Sequence, residues 1–145
     1  MRLVAACVSI RLPTRLMFGI PIHKLIVHFP IALMILAVIY DSWAFYSRKV
    51  ELHEMGYRLT LWAAIGALGA VVSGLQLAGV SRIPPGEVTG HAGFGIVSSI
   101  VVTALAAARY SEHVREQRGY RLHWLVLEIG AAALVFATAV MGHKL

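Results

Sequence analysis

Long runs of apolar residues, broken at wide intervals by short charged segments, dominate the chain. Residues 25–47 carry one formal charge, Asp41; residues 59–81 and 88–108 carry none; residues 122–142 carry one, Glu128. Each run reaches the roughly 20 residues that a helix needs to cross the hydrocarbon core of a bilayer. Lipid offers no partner to backbone N–H and C=O groups, so each crossing must close its hydrogen bonds internally, and the Val- and Ile-rich stretches are read as helix. The connections near 48–58, 82–87 and 109–121 are short, and Pro84, Pro85 and Gly86 mark the middle one as a turn. The pattern predicts an all-α fold, an integral membrane antiparallel four-helix bundle over 21–145, with helices at about 25–47, 59–81, 88–108 and 122–142. Residues 1–20 are read as a leader or interfacial segment. Because Met17 stands just before the first span, they are also read as an extension upstream of the true start.

Composition strengthens the membrane reading. Of 145 residues, 59% are hydrophobic and 14% charged, against about 25% charged in an ordinary soluble domain, and the mean hydropathy is +0.75. A net charge of +6 would suit nucleic acid only if the basic residues clustered on one face, and here they flank the spans. They read as topology signals. Two crossings, the second and third spans, separate the first connection from the third, so Arg48, Lys49, Arg58, Arg109, Arg115, Arg118 and Arg121 share one side of the membrane. Lys24, Arg82 and Lys144 lie on the other, with Arg2, Arg11 and Arg15 of the leader. Without the leader the count is seven against three, and every Trp and Tyr (Tyr40, Trp43, Tyr46, Tyr57, Trp62, Tyr110, Tyr120, Trp124) lies near the more basic side. The positive-inside tendency places that side in the cytoplasm and both termini outside. The single cysteine, Cys7, excludes an internal disulfide or a multi-cysteine metal centre. The apolar stretch before it is shorter than the roughly 7–15 residues of a signal-peptide core, which argues against a lipoprotein signal at Val4-Ala5-Ala6-Cys7.

The histidines carry the candidate chemistry. His23, His28, His91 and His143 all fall on the outer side, and His28 and His91 each lie three residues inside a span, roughly 5 Å below the same boundary. They are expected to face each other, with Gln76 and Glu87 in the neighbouring layers as groups that fix the ring tautomers. Ionisable groups inside a membrane point to a functional site by default. Neutral imidazoles on facing helices suit haem iron, with His28 and His91 as ligands, or an ion of copper, iron or zinc held by His23, His28, His91 and His143. A third reading is a cofactor-free anchor or assembly subunit whose histidines bridge helices. The glycines at 66, 69, 74, 93 and 95 could make room for a porphyrin, but Gly66-x-x-x-Ala70-x-x-x-Gly74 is also the spacing of close helix packing. Pro30 removes an N–H beside His28 and is expected to bend the first helix there. On the cytoplasmic side, Asp41 and Glu128 each lie six residues inside a helix end, roughly 9 Å deep. They are expected to pair with Arg58 or Arg121, or with each other through a shared proton. No Ser/His/Asp set, phosphate loop or hydrolase-type carboxylate pair appears, which excludes the usual hydrolytic chemistries.

The stretch Ile22-His23-Lys24-Leu25-Ile26-Val27-His28-Phe29-Pro30-Ile31-Ala32-Leu33 resembles the opening of the bacterial membrane proteins grouped as domain-of-unknown-function family 2231. That family opens with a His-Pro-x-x-Val-His-Phe-Pro-Ile-Ala-Leu type stretch, has about four helices and carries a further His followed by a small residue on the third. The resemblance spans about residues 21–143 and implies that His23, His28 and His91 occupy the family's histidine positions. Lys24 stands where the family has proline, and the family's glycine-rich ending is reduced to Gly142-His143. The resemblance implies a bacterial inner-membrane location. The haem reading then predicts electron transfer between quinol and a periplasmic partner or a larger respiratory complex, in a chain that can also self-associate. Likeness to two-haem membrane cytochromes is an analogy of fold, which does not transfer chemistry.

Overall fold

The computed structural model describes residues 22–80, 85–115 and 122–143. They form four helices: α1 (Ile22–Ser47), α2 (Val50–Val80), α3 (Pro85–Val114) and α4 (Leu122–His143). Each contains a stretch long and apolar enough to cross a membrane: His23–Ser47, Val50–Gln76, Gly90–Val114 and Leu122–Gly142. Among the described residues there is no strand, and the bundle is all-α as its apolar pattern predicts. The leader at 1–20, the turn residues 81–84 and the connection 116–121 lie outside the described residues.

Two helices are longer than their charge-free runs. The expected connection over 48–58 shrinks to Arg48 and Lys49, because α2 begins at Val50. Arg48 takes a left-handed φ of 57° and donates its N–H to the Ala44 carbonyl at 2.8 Å, closing α1. The polar first turns of α2 hold their helix with side chains, Arg58 pairing with Glu54 one turn back at 3.1 Å. Likewise α3 runs past Ala108 to Val114 and carries Arg109 within it. Charge marks where lipid ends, and a helix can continue into the headgroups or turn a charge inward. Pro85 opens α3, where its missing N–H leaves no bond unmade.

Packing closes the helices into a ring. α1 contacts α2 and α4, and α3 contacts the same two, so α1 and α3 face each other along one diagonal. The interior is built of small residues, Ala37, Ala44, Ala63, Ala64, Ala67, Ala106 and Ala131, around Met34, Val102, Leu105 and Val135. Large side chains such as Ile39, Ile65, Val72, Ile100 and Phe136 point outward. That inversion follows from the solvent: lipid is as apolar as leucine, so burial adds little and close backbone approach adds dispersion contacts. On α2, Gly66 has no side chain where Phe29 and Pro30 of α1 press in, at 2.9 and 3.3 Å from the position its Cβ would take.

Candidate functional site

Polar groups collect in the interior at two levels. At the first level His23 lies at the start of α1 and His91 near the start of α3, with ring centroids 6.4 Å apart and planes at 79°. Each ring fits a notch left by a glycine on a neighbouring helix: His23 lies over Gly74 of α2, and His91 over Gly142 of α4. The Ser73 hydroxyl donates to the Ala70 carbonyl at 3.0 Å and sits 2.9 Å from His23 Nδ1. A hydroxyl has one proton, so Ser73 Oγ accepts from His23 Nδ1–H and the lone pair of the ring is left on Nε2. His91 Nδ1 is buried without a hydrogen-bond partner among the described residues.

This arrangement redraws the expected pair. His28 is exposed and its Nδ1 donates to the Lys24 carbonyl of its own helix, so the ring facing His91 belongs to His23. The reason is angular. Five residues separate His23 from His28, which places them about 140° apart around a helix of 3.6 residues per turn, so both cannot face the bundle axis. Gln76 is exposed on α2. The side chains of Glu87 and His143 lie outside the described residues, although their backbones belong to α3 and α4. Among the described residues no three His, Cys, Asp or Glu side chains come close enough to share an ion.

The second level holds the more extensive network. Arg109, 3% exposed, enters the bundle from α3 between Asp41 of α1 and Glu128 of α4, which are 4% and 0% exposed. Its Nη1 and Nη2 donate to Asp41 Oδ2 and Oδ1 at 2.6 and 3.3 Å, a two-pronged pair. Nη1 also donates to Glu128 Oε1, which accepts from Thr60 Oγ1 at 2.7 Å as well. From α2, His53 brings Nδ1 to 3.1 Å from Asp41 Oδ1, and its backbone carbonyl accepts from Arg109 Nη2 at 3.2 Å. All four helices contribute. Asp41 and Glu128 therefore pair with Arg109 rather than with Arg58, which is taken by Glu54; Arg121 lies outside the described residues.

Arg109 and His53 were legible as more than loop charges. Arg109 continues the stripe Ser98, Val102, Leu105 and Ala106, and His53 begins the stripe Gly56, Tyr57, Thr60, Ala63, Ala64 and Ala67. Both stripes have helical spacing and end on the polar residue. Outside the network, Tyr57 stacks on His113 at 4.9 Å and Trp124 donates to Glu112 at 2.6 Å. They border a cleft of about 30 Å³ that reaches Arg109 and His53.

The sequence from residue 19 to 145 matches the family model described as a predicted membrane protein, DUF2231. The chain belongs to this family. No curated protein and no solved structure matches it. The matched segment includes all four helices of this DUF2231 chain and both polar levels. Its family description gives a membrane location and no chemistry, so any activity must be argued from these side chains.

Proposed function

We propose that the chain holds a single transition-metal ion between His23 and His91, at the end of the bundle that carries both termini, and that the ion is copper in its reduced state. The separation of the rings supports this reading. A metal about 2.0–2.1 Å from each of two imidazole nitrogens sets ring centroids about 6 Å apart, close to the 6.4 Å here, and the rings would turn from their edge-to-face arrangement to present a nitrogen each. His23 already offers Nε2, because Ser73 holds its other nitrogen. Imidazole suits copper, zinc, iron and nickel. Among the described residues two imidazoles face this site, a number that reduced copper accepts and that falls short of the four ligands zinc prefers. Bound copper would supply one-electron chemistry; the chain supplies two neutral nitrogens and a hydroxyl that fixes one ring.

A compact ion suits this level better than haem b. A porphyrin between the rings would spread towards α2 and α4, whose backbones already lie against the imidazoles at Gly74 and Gly142. Haem would require these helices to part. The role that follows is holding copper at the outer face, for electron transfer or for delivery to a periplasmic partner.

Competition between the purified protein and a cuprous chelator tests the site. One copper per chain is expected, with affinity reduced about 100-fold or more in His23→Ala and His91→Ala, about 10-fold in Ser73→Ala, and unchanged in His28→Ala. Retention of full affinity by both histidine variants would overturn the assignment, and a haem spectrum at one per chain would replace the ion with a macrocycle. The orientation is tested separately. Alkaline phosphatase fused after Leu145 is expected to be active, as an outer C-terminus requires; an inactive fusion at normal abundance would turn the site towards the cytoplasm.

A further inference from the structure

We propose that the Arg109 level is a proton-binding site, in which Glu128 takes the proton and the cleft beside Tyr57 and Trp124 supplies it. With both carboxylates ionised, Asp41 and Glu128 would give the trio with Arg109 a net charge of −1 inside a bundle surrounded by lipid, where an uncompensated charge is strongly disfavoured. One proton brings the trio to neutrality.

The hydrogen bonds indicate which carboxyl receives it. Asp41 has both oxygens engaged by the two terminal nitrogens of Arg109, the pattern of an ionised carboxylate. Glu128 has its polar contacts on one oxygen only, with Oε1 accepting from Arg109 and Thr60. Its Oε2 is buried with no hydrogen-bond partner among the described residues, on a side chain that is 0% exposed. An orphaned oxygen is far costlier on a charged carboxylate than on a neutral acid. Oε1 therefore serves as the carbonyl of a carboxylic acid and Oε2 bears the hydroxyl. The step is a simple protonation: the carboxylate and one proton give the acid, the trio passes from −1 to neutral, and no electron moves.

Access and surroundings fit a proton. The cleft of about 30 Å³ admits one or two waters and is too small for an organic substrate. His53, on its wall, stands 3.1 Å from Asp41 and connects the cleft to the buried trio. The titratable groups that face the site are Asp41 from α1, His53 from α2, Arg109 from α3 and Glu128 from α4. Glu54, Glu112 and His113 line the cleft further out.

Infrared difference spectra of the full chain in lipid nanodiscs, recorded across pH in H2O and D2O, test the proposal. A carboxylic-acid carbonyl band that shifts in D2O is expected, with loss over one single-proton transition as the pH is raised. It should be absent from Glu128→Gln, whose melting temperature stays within about 3 °C of the parent because an amide imitates the acid. If no exchangeable band disappears in Glu128→Gln, or if this variant is strongly destabilised, Glu128 is an ionised partner of Arg109 and the proposal fails. Loss of the band on adding sodium at fixed pH would assign the site to a monovalent cation instead.

Discussion

Replacing Arg109 with methionine is expected to remove about 3–5 kcal/mol of folding stability, because truncating one partner of a buried ion pair leaves the other charge uncompensated. Asp41 is the exposed liability: both its oxygens are held by Arg109, and at 4% exposure water cannot take over those bonds. Thermal unfolding in a fixed detergent, followed by tryptophan fluorescence, should show a fall of about 10 °C for a loss of this size. Adding Asp41→Asn to the same chain should restore most of the loss, since it removes the stranded charge, and that non-additivity is the signature of direct coupling. A single-variant loss below about 1 kcal/mol would be the behaviour of a solvent-exposed pair and would contradict the buried position of the guanidinium.

Gly56→Ala is expected to have the next largest effect, about 2–3 kcal/mol, although the new atom is a single methyl in a helix. A Cβ at Gly56 would overlap the Asp41 carboxylate, making contact with Oδ1, Cγ and Oδ2. Elsewhere the end of a side chain could swing aside. Here Arg109 and His53 hold the carboxylate in place, so relief requires breaking the pair or separating α1 from α2. Gly69→Ala on the same helix is the control, since its Cβ would meet only Ile26 Cγ2 at 3.8 Å. It should be neutral or stabilising by up to about 1 kcal/mol, as helix propensity predicts. Equal effects at the two positions would remove the steric explanation.

Charge-free runs locate the four spans because lipid enforces a length and an apolar character on every crossing. They say little about where a helix stops outside the lipid, and this is why Val50 and Val114 extend α2 and α3 beyond the runs. Depth was legible too. Asp41 and Glu128, each placed six residues from a helix end, do lie at one level of the bundle, joined through Arg109. Partner identity was less accessible, because it depends on rotation about the helix axis as well as depth. His28 and His91 match in depth, yet His28 faces outward while His23, one level nearer the boundary, faces His91. Arg109 was counted as a topology charge because it follows an apolar run. The small-residue stripe on which it stands shows that it turns inward. Sequence periodicity held that information; charge counting alone could not extract it.

The two-residue connection between α1 and α2 also bears on how the protein is made. Arg48 and Lys49 leave no slack, so the first two helices are tied as an antiparallel hairpin. Its internal contacts, His53 with Asp41 and Gly66 beneath Phe29 and Pro30, involve no later residue. Arg109 and Glu128 are synthesised well after the hairpin is complete. Asp41 is therefore synthesised before its guanidinium partner, and an aspartate in an inserting helix is disfavoured, by about 2.5–3.5 kcal/mol at the helix centre and by less at the six residues from the end where Asp41 lies. Until α3 arrives, His53 is the neighbour that can offer Asp41 a proton or a hydrogen bond. The histidine that borders the mature cleft is thus also a hydrogen-bond partner of Asp41 within the first hairpin.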